Sequence, residues 1–232
     1  MSQFVHAARG ALAAAVLAGI AFSTPALAEE QAEFSFRGQV AFTTDYVWRG
    51  LSQTDGRPAV QGELTLEHRS GLYVGIWGSN VDFDVDGADT NAHLELDYYV
   101  GFANQFAGID YDFGYIAYRY PGESDMSSWE LYGELSKDFG VLAIKGGGHW
   151  TNDYAGEGLK QYHLFGGTSV PVGPVTLHAL AGYTDTEDDQ DWTYWQLGVS
   201  TSLLGVDFDL SYHDTDEDEV DSRVVLTASK SF

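Results

Sequence analysis

Acidic side chains recur at even spacing along this chain: Glu63 and Glu67, Glu95 and Asp97, Glu130 and Glu134, Asp207 and Asp209. Asp45 and Asp112 stand in segments of the same kind, and few cations oppose them, mainly Arg37, Lys145 and Arg223. Even spacing puts side chains on one face of a β-strand, so these groups would gather on a common wall. Carboxylates on a wall enclosed by low-dielectric material concentrate cations and repel anions, because the field is focused there. The chemistry on offer is electrostatic selection of a solute. A second pattern, Asp82-Phe-Asp84-Val-Asp86-Gly87, opens like a calcium-binding D-x-D-x-D-G loop. Its twelfth position is His93 where a bidentate Glu is needed, so Asp82, Asp84 and Asp86 are candidates only for a looser divalent site.

The elements that would carry these residues have a period of two. Phe34, Phe36, Val40, Phe42, Tyr46 and Trp48 alternate with Ser35, Arg37, Gln39, Thr43 and Asp45. Leu94, Leu96, Tyr98 and Val100 alternate with His93, Glu95 and Asp97, and Val206, Phe208, Leu210 and Tyr212 with Asp207, Asp209 and Ser211. Twelve such segments begin near residues 34, 58, 72, 91, 109, 128, 140, 160, 174, 191, 205 and 221. Every second connection is short and rich in Gly or Pro, as at Arg69 to Gly71 and Leu203 to Gly205. The others are long: Arg49 to Arg57, Asp82 to Asn91, Pro121 to Ser127, Thr151 to Lys160, Asp185 to Asp191 and Asp214 to Asp221. They hold twenty of the 35 acidic residues, so acidity crowds one rim.

Polar inward and apolar outward faces, with a two-sided loop asymmetry, predict an all-β fold: a transmembrane antiparallel β-barrel of about 12 strands, with periplasmic termini and long acidic extracellular loops. A soluble lipocalin-like barrel would reverse the faces. Trp48, Trp129, Trp150 and Trp192 beside the long loops, with Phe34, Phe139 and Phe232 at the opposite end, read as two aromatic girdles. Parity breaks once, between Leu72, Val74, Ile76 and Val81, Phe83, which predicts a bulge or a strand running above the membrane. The Gly146-Gly147-Gly148 run weakens the seventh strand similarly.

Residues 1–28 read as a secretory signal peptide: His6 and Arg9 precede an apolar run from Ala11 to Phe22, and Ala26-Leu27-Ala28 precedes Glu29. The run is too short to span a bilayer as a helix. Residues 29–232 then form one barrel domain, retaining all 35 acidic residues and all but one of the 11 Lys and Arg. Such a charge balance excludes nucleic acid as a partner. The chain has no cysteine, so neither disulfides nor thiolate metal sites hold it together, and no cofactor is implied.

The block from Phe42 to Thr54 (FTTDYVWRGLSQT), with Pro58 to Gly62, Gly71 to Asn80 and Tyr120-Pro-Gly122, resembles the TorF family of porins, also catalogued as Gcw_chp. The final strand, Val224, Leu226, Ala228, Lys230, Phe232, resembles the C-terminal signal of bacterial outer-membrane barrels, with Lys230 departing where an apolar residue is usual. The resemblance implies a bacterial outer-membrane location and a pore role, without naming a solute.

The expectation is passive diffusion of small polar solutes or ions, preferring cations, past a wall of Arg37, Asp45, Glu63, Glu67, Glu95, Asp97, Asp112, Glu130, Glu134, Lys145, Asp207 and Asp209. The alternative is a barrel filled by its own paired side chains, structural or adhesive, whose loop clusters at 185–191 and 214–221 bind divalent cations, lipopolysaccharide or a partner. Catalysis is not expected: the sole His-x-Ser, His68-Arg-Ser70, falls at a predicted periplasmic turn, and His149, His163 and His178 have no nucleophile at telling spacing.

Overall fold

A sheet that lies in lipid can leave no backbone donor or acceptor unpaired, so it must close on itself. In the computed structural model, which describes residues 33–83, 92–188, 190–218 and 220–232, it does. The strands in chain order are β1 (Phe34–Thr43), β2 (Val47–Trp48), β3 (Leu51–Ser52), β4 (Ala59–His68), β5 (Leu72–Asn80), β6 (Leu94–Phe106) and β7 (Ile109–Arg119), followed by β8 (Ser128–Asp138), β9 (Ala143–Tyr154), β10 (Leu159–Val172), β11 (Val175–Thr186), β12 (Asp191–Leu203), β13 (Val206–Thr215) and β14 (Arg223–Ser231). All but β2 and β3 join one closed antiparallel barrel of twelve strands. Closure comes from β1 pairing with β14, with Phe42 opposite Ala228, while its other edge pairs with β4. The short β2–β3 hairpin is a separate sheet between β1 and β4 in sequence.

The alternation sorts the side chains as the period requires. Val40, Phe42, Val60, Leu64, Val100, Phe113, Leu131, Leu164, Leu197 and Leu226 are exposed on the outer face. An apolar belt around a whole closed sheet is stable only against lipid, and the barrel is a membrane-spanning one. At one end, here the turn end, the connections are tight. Ala107-Gly108 and Leu204-Gly205 each hold two successive residues at positive φ, the type I′ geometry that matches strand twist. At the other, the loop end, lie the long connections.

The parity switch at Val81 and Phe83 comes neither from a bulge nor from a strand continuing above the membrane. β5 ends at Asn80, and the chain then turns inward over the barrel mouth, burying Val81 and Phe83. Phe83 meets Tyr120 edge-on at 5.8 Å. Gly146 to Gly148 interrupts nothing, since β9 runs unbroken through it. Two of the four loop-end tryptophans do not belong to a lipid-facing girdle: Trp48 and Trp192 are buried inside, each 3 % exposed. Trp129 and Trp150 stay on the outer face, edge-to-face at 5.5 Å. Residues 1–28, Asp84 and Asp86 lie outside the described residues.

Inside the barrel large rings lie flat over glycines on the next strand. Tyr99 covers Gly75 and Tyr132 covers Gly114, each ring occupying the place a Cβ would take. Gly62, on the outer face, has nothing near its missing Cβ. Gly75→Ala and Gly114→Ala should therefore each destabilise the barrel by ~1–3 kcal/mol through overpacking. Gly62→Ala should be neutral or stabilise by up to ~1 kcal/mol. Thermal unfolding in detergent checks this, and equal effects at the three sites would refute the packing argument.

Candidate functional site

The hairpin β2–β3 starts where β1 leaves the wall. Thr43 Oγ1 donates to the Asp45 carbonyl at 2.8 Å, and Asp45 then holds the base of the hairpin: its Oδ1 accepts from Ser52 Oγ at 2.6 Å and its Oδ2 from Arg223 Nη1 of β14 at 3.2 Å. Gln53 N donates to the Tyr46 carbonyl at 2.6 Å, Val47 pairs with Ser52 and Trp48 with Leu51. The tip is Arg49-Gly50, a two-residue turn with φ of 46° and 85°. Left-handed backbone is costly for arginine and natural for glycine. Gly50 is required sterically as well, because a Cβ there would sit 2.7 Å from Cβ of Tyr194.

The hairpin crosses the lumen. Going round the ring of twelve, β9 lies six strands from β1 in either direction, and the tip docks on that far wall. Arg49 Nη2 donates to Glu130 Oε2 of β8 at 2.9 Å, and Nη1 to Gln161 Oε1 of β10 at 3.0 Å. Trp192 Nε1 of β12 donates to the Arg49 carbonyl at 2.8 Å. The guanidinium also lies 4.1 Å over the Trp48 ring. Glu130 Oε2 is crowded with partners: Tyr118 Oη donates at 3.0 Å and His149 Nδ1 lies at 2.8 Å. Arg49 and Glu130 side chains are each 3 % exposed, so this ion pair is dry.

Around the hairpin each of the twelve strands contributes an inward residue that is buried, from Asp97 at 0 % to Tyr194 and Thr215 at 7 % exposed. Tyr46 packs on Trp77 with ring centroids 5.4 Å apart, and Tyr118, Tyr120, Tyr154 and Trp192 complete an aromatic core. The protein's hydrophobic core is thus a disc inside the loop-end half of the barrel. It fills the middle of the lumen among the described residues.

The twelve residues proposed from parity divide about this disc. Asp45, Glu95, Asp97 and Glu130 are within it, enclosed by protein. Tyr120 Oη donates to Glu95 at 2.9 Å. The expected wet acidic mouth is replaced here by paired, dehydrated groups, because the hairpin occupies the space that water would have taken. The other eight, Arg37, Glu63, Glu67, Asp112, Glu134, Lys145, Asp207 and Asp209, lie in the turn-end half and keep partial exposure. Arg37 pairs with Glu67. Tyr99 Oη donates to Glu63 at 2.5 Å, Tyr73 Oη to Asp112 at 2.6 Å, and His178 Nε2 lies 2.6 Å from Asp209. Lys145 Nζ sits 5.9 Å above Phe165.

Outside the disc, Asp82 pairs with Arg57 and its N–H donates to the Gln53 carbonyl at 2.8 Å, so it braces the hairpin's second neck. Among the described residues no group of three or more potential ligands could hold a metal ion. At the loop end Glu217 has its carboxyl pushed above the usual range, by burial first and then by Asp216, Asp218 and Asp191 beside it. Parity reasoning passed over Arg49, Gln161 and Gly50. The available signal was the composition of the first long loop, which has one acidic residue, Asp55, and the apolar Leu51 where other loops are charged.

Residues 27–231 match a family described as "Bacterial protein of unknown function (Gcw_chp)". No curated protein sequence matches the chain. Among solved structures it is similar to the NanC porin, with a TM-score of 0.51, 10 % identity, and 85 % of this chain and 98 % of that one covered. A porin refined at 1.8 Å matches with a TM-score of 0.46 and 17 % identity over 75 % of this chain, which spans 62 % of that porin's length. An outer membrane channel from Pseudomonas putida F1, of the COG4313 group, matches with a TM-score of 0.47 and 12 % identity, over 90 % of this chain and all of that one.

Removing the guanidinium would leave Glu130 buried without its cationic partner. Arg49→Ala should lower stability by ~3–5 kcal/mol, and Glu130→Gln made in addition should restore much of it. A double-mutant cycle on thermal unfolding measures the coupling, and additive losses would contradict the ion pair. The match along residues 27–231, together with a closed, lipid-facing barrel of porin fold, places the chain in the Gcw_chp family as a porin-like barrel of the bacterial outer membrane.

Proposed function

We propose that the protein is a channel for passive diffusion of small polar solutes, preferring cations, and that the hairpin from Tyr46 to Thr54 is its gate. The loop end faces outward from the cell and the turn end faces the periplasm, in keeping with the short-turn rule for such barrels. One observation carries the gating reading. The hairpin lies across the lumen with its tip on the far wall, yet its strands share no ladder with the wall, being a separate two-stranded sheet. It can leave without breaking a barrel hydrogen bond between strands. Below it, Glu63, Glu67, Asp112, Glu134, Asp207 and Asp209 outnumber Arg37 and Lys145, and this excess supports a preference for cations.

The complete burial of the disc favours a second reading, a permanently plugged barrel that binds divalent cations or lipopolysaccharide through its acidic loops. A hydrolytic role is not proposed. Ser70 Oγ lies 2.8 Å from His68 Nδ1, but the adjacent donors are committed: Gly71 N to the His68 carbonyl at 2.8 Å and Ser70 N to His68 Nδ1 at 3.2 Å. No donor pair is left there for an oxyanion.

Conductance in planar bilayers is the direct test. The wild type should open intermittently, and Arg49→Ala, which lacks the tip's contacts to Glu130 and Gln161, should spend a larger fraction of time open, with a reversal potential in a salt gradient that favours cations. Silence of both proteins would leave the plugged-barrel reading standing. An anion-favouring potential would overturn the charge argument.

A further inference from the structure

The wall that receives Arg49 is built as a receptor for its side chain, and the receptor belongs to the barrel. Glu130 on β8 and Gln161 on β10 present two acceptors, Oε2 and Oε1, to different nitrogens of one guanidinium at 2.9 and 3.0 Å. Strand pairing fixes both: Leu131, next to Glu130, pairs with Trp150 of β9, and Thr151 of β9 pairs with Gln161. Tyr118 and His149 hold the carboxylate oxygen from its other sides. The occupant, by contrast, arrives on a loop.

We propose that Glu130 and Gln161 form a recognition site for guanidinium-bearing solutes, and that Arg49 is an intramolecular stand-in for the permeating cation. The inference rests on the reading of the hairpin as a movable gate. When the hairpin withdraws, Glu130 is left in a site lined by Tyr118, His149 and Gln161, with no cation from the chain in its place. A planar cation whose N–H groups diverge to two acceptors replaces Arg49 group for group. A sodium ion is a spherical charge without directed donors, and a quaternary ammonium offers charge without N–H, so neither reproduces the two diverging bonds to Gln161 and Glu130. The same solute competes with Arg49 and holds the gate open, which makes the site both filter and sensor.

The test uses methylguanidinium as the probe, with tetramethylammonium and sodium at equal ionic strength as controls. In detergent, methylguanidinium should raise the unfolding midpoint of Arg49→Ala saturably and leave the wild type unmoved, because there the site is filled. Replacing the charged acceptor in Arg49→Ala/Glu130→Gln should weaken that response at least about tenfold. In bilayers, methylguanidinium should increase the open fraction of the wild-type channel, which keeps the proposal testable if Arg49→Ala does not fold. Equal responses to tetramethylammonium, or a response that survives Glu130→Gln, would overturn it. Saturable binding in detergent without any conductance would instead retain the site and remove the channel reading.

Discussion

A sheet in hydrocarbon must satisfy every backbone group within itself, and this constraint governs the rest of the molecule. Closing twelve strands removes the edges and turns the apolar face of each strand outward. The polar face is then forced inward, into a space wider than wall side chains fill alone in an eight-stranded barrel and narrower than the aqueous channel of a sixteen-stranded one. Such a space must hold water or more chain. In the loop-end half it holds chain, the hairpin from Tyr46 to Thr54, and in the turn-end half the polar residues keep access to solvent.

Filling half the lumen changes what its charges do. In water, Asp45 and Glu130 would contribute a field. Under the hairpin, with no water, each needs a partner at hydrogen-bonding distance, and Arg223 and Arg49 supply them. Dehydrated ion pairs contribute little net stability compared with a well-packed apolar contact, since desolvation offsets attraction. What they supply is a strict penalty for the wrong partner or for none. The hairpin is therefore held in one docked position, defined by Arg49 on Glu130 and Gln161, rather than collapsed loosely into the barrel.

Much of this was legible in the sequence, and what was not has a common cause. Period two depends only on local geometry, so the segments predicted from residues 34 to 221 coincide with the twelve wall strands, and the tight turns separate them where Gly and Pro stand. Parity also puts Glu130 and Asp97 on the inner wall. It cannot say what else occupies the interior, because a loop's destination is a tertiary fact. Trp192 shows the limit: its proximity to a long loop suggested an interfacial girdle, whereas its even spacing from Tyr194 and Gln196, against Trp195 and Leu197, marks it as inward. Trp48 continued the outward parity of β1 only because the chain leaves the wall after Thr43, where a strand period no longer applies.

The division between wall and hairpin also separates two stabilities. Each wall strand is fixed by ladders to both neighbours, so loss of one opens the barrel to lipid, a global event. The hairpin has a two-residue ladder of its own and a docked tip, and undocking it exposes its aromatic residues and two dehydrated carboxylates while leaving the ladders intact. Local opening of this kind draws on its own free energy, below that of global unfolding. The positive φ of Arg49 lowers it further, because the tip residue that forms the latch is also the one whose backbone is strained. On the proposed gating, a cation able to take the place of that side chain on Glu130 would remove the main cost of undocking, so the energetics of the gate and the identity of the solute would be set by the same pair of acceptors.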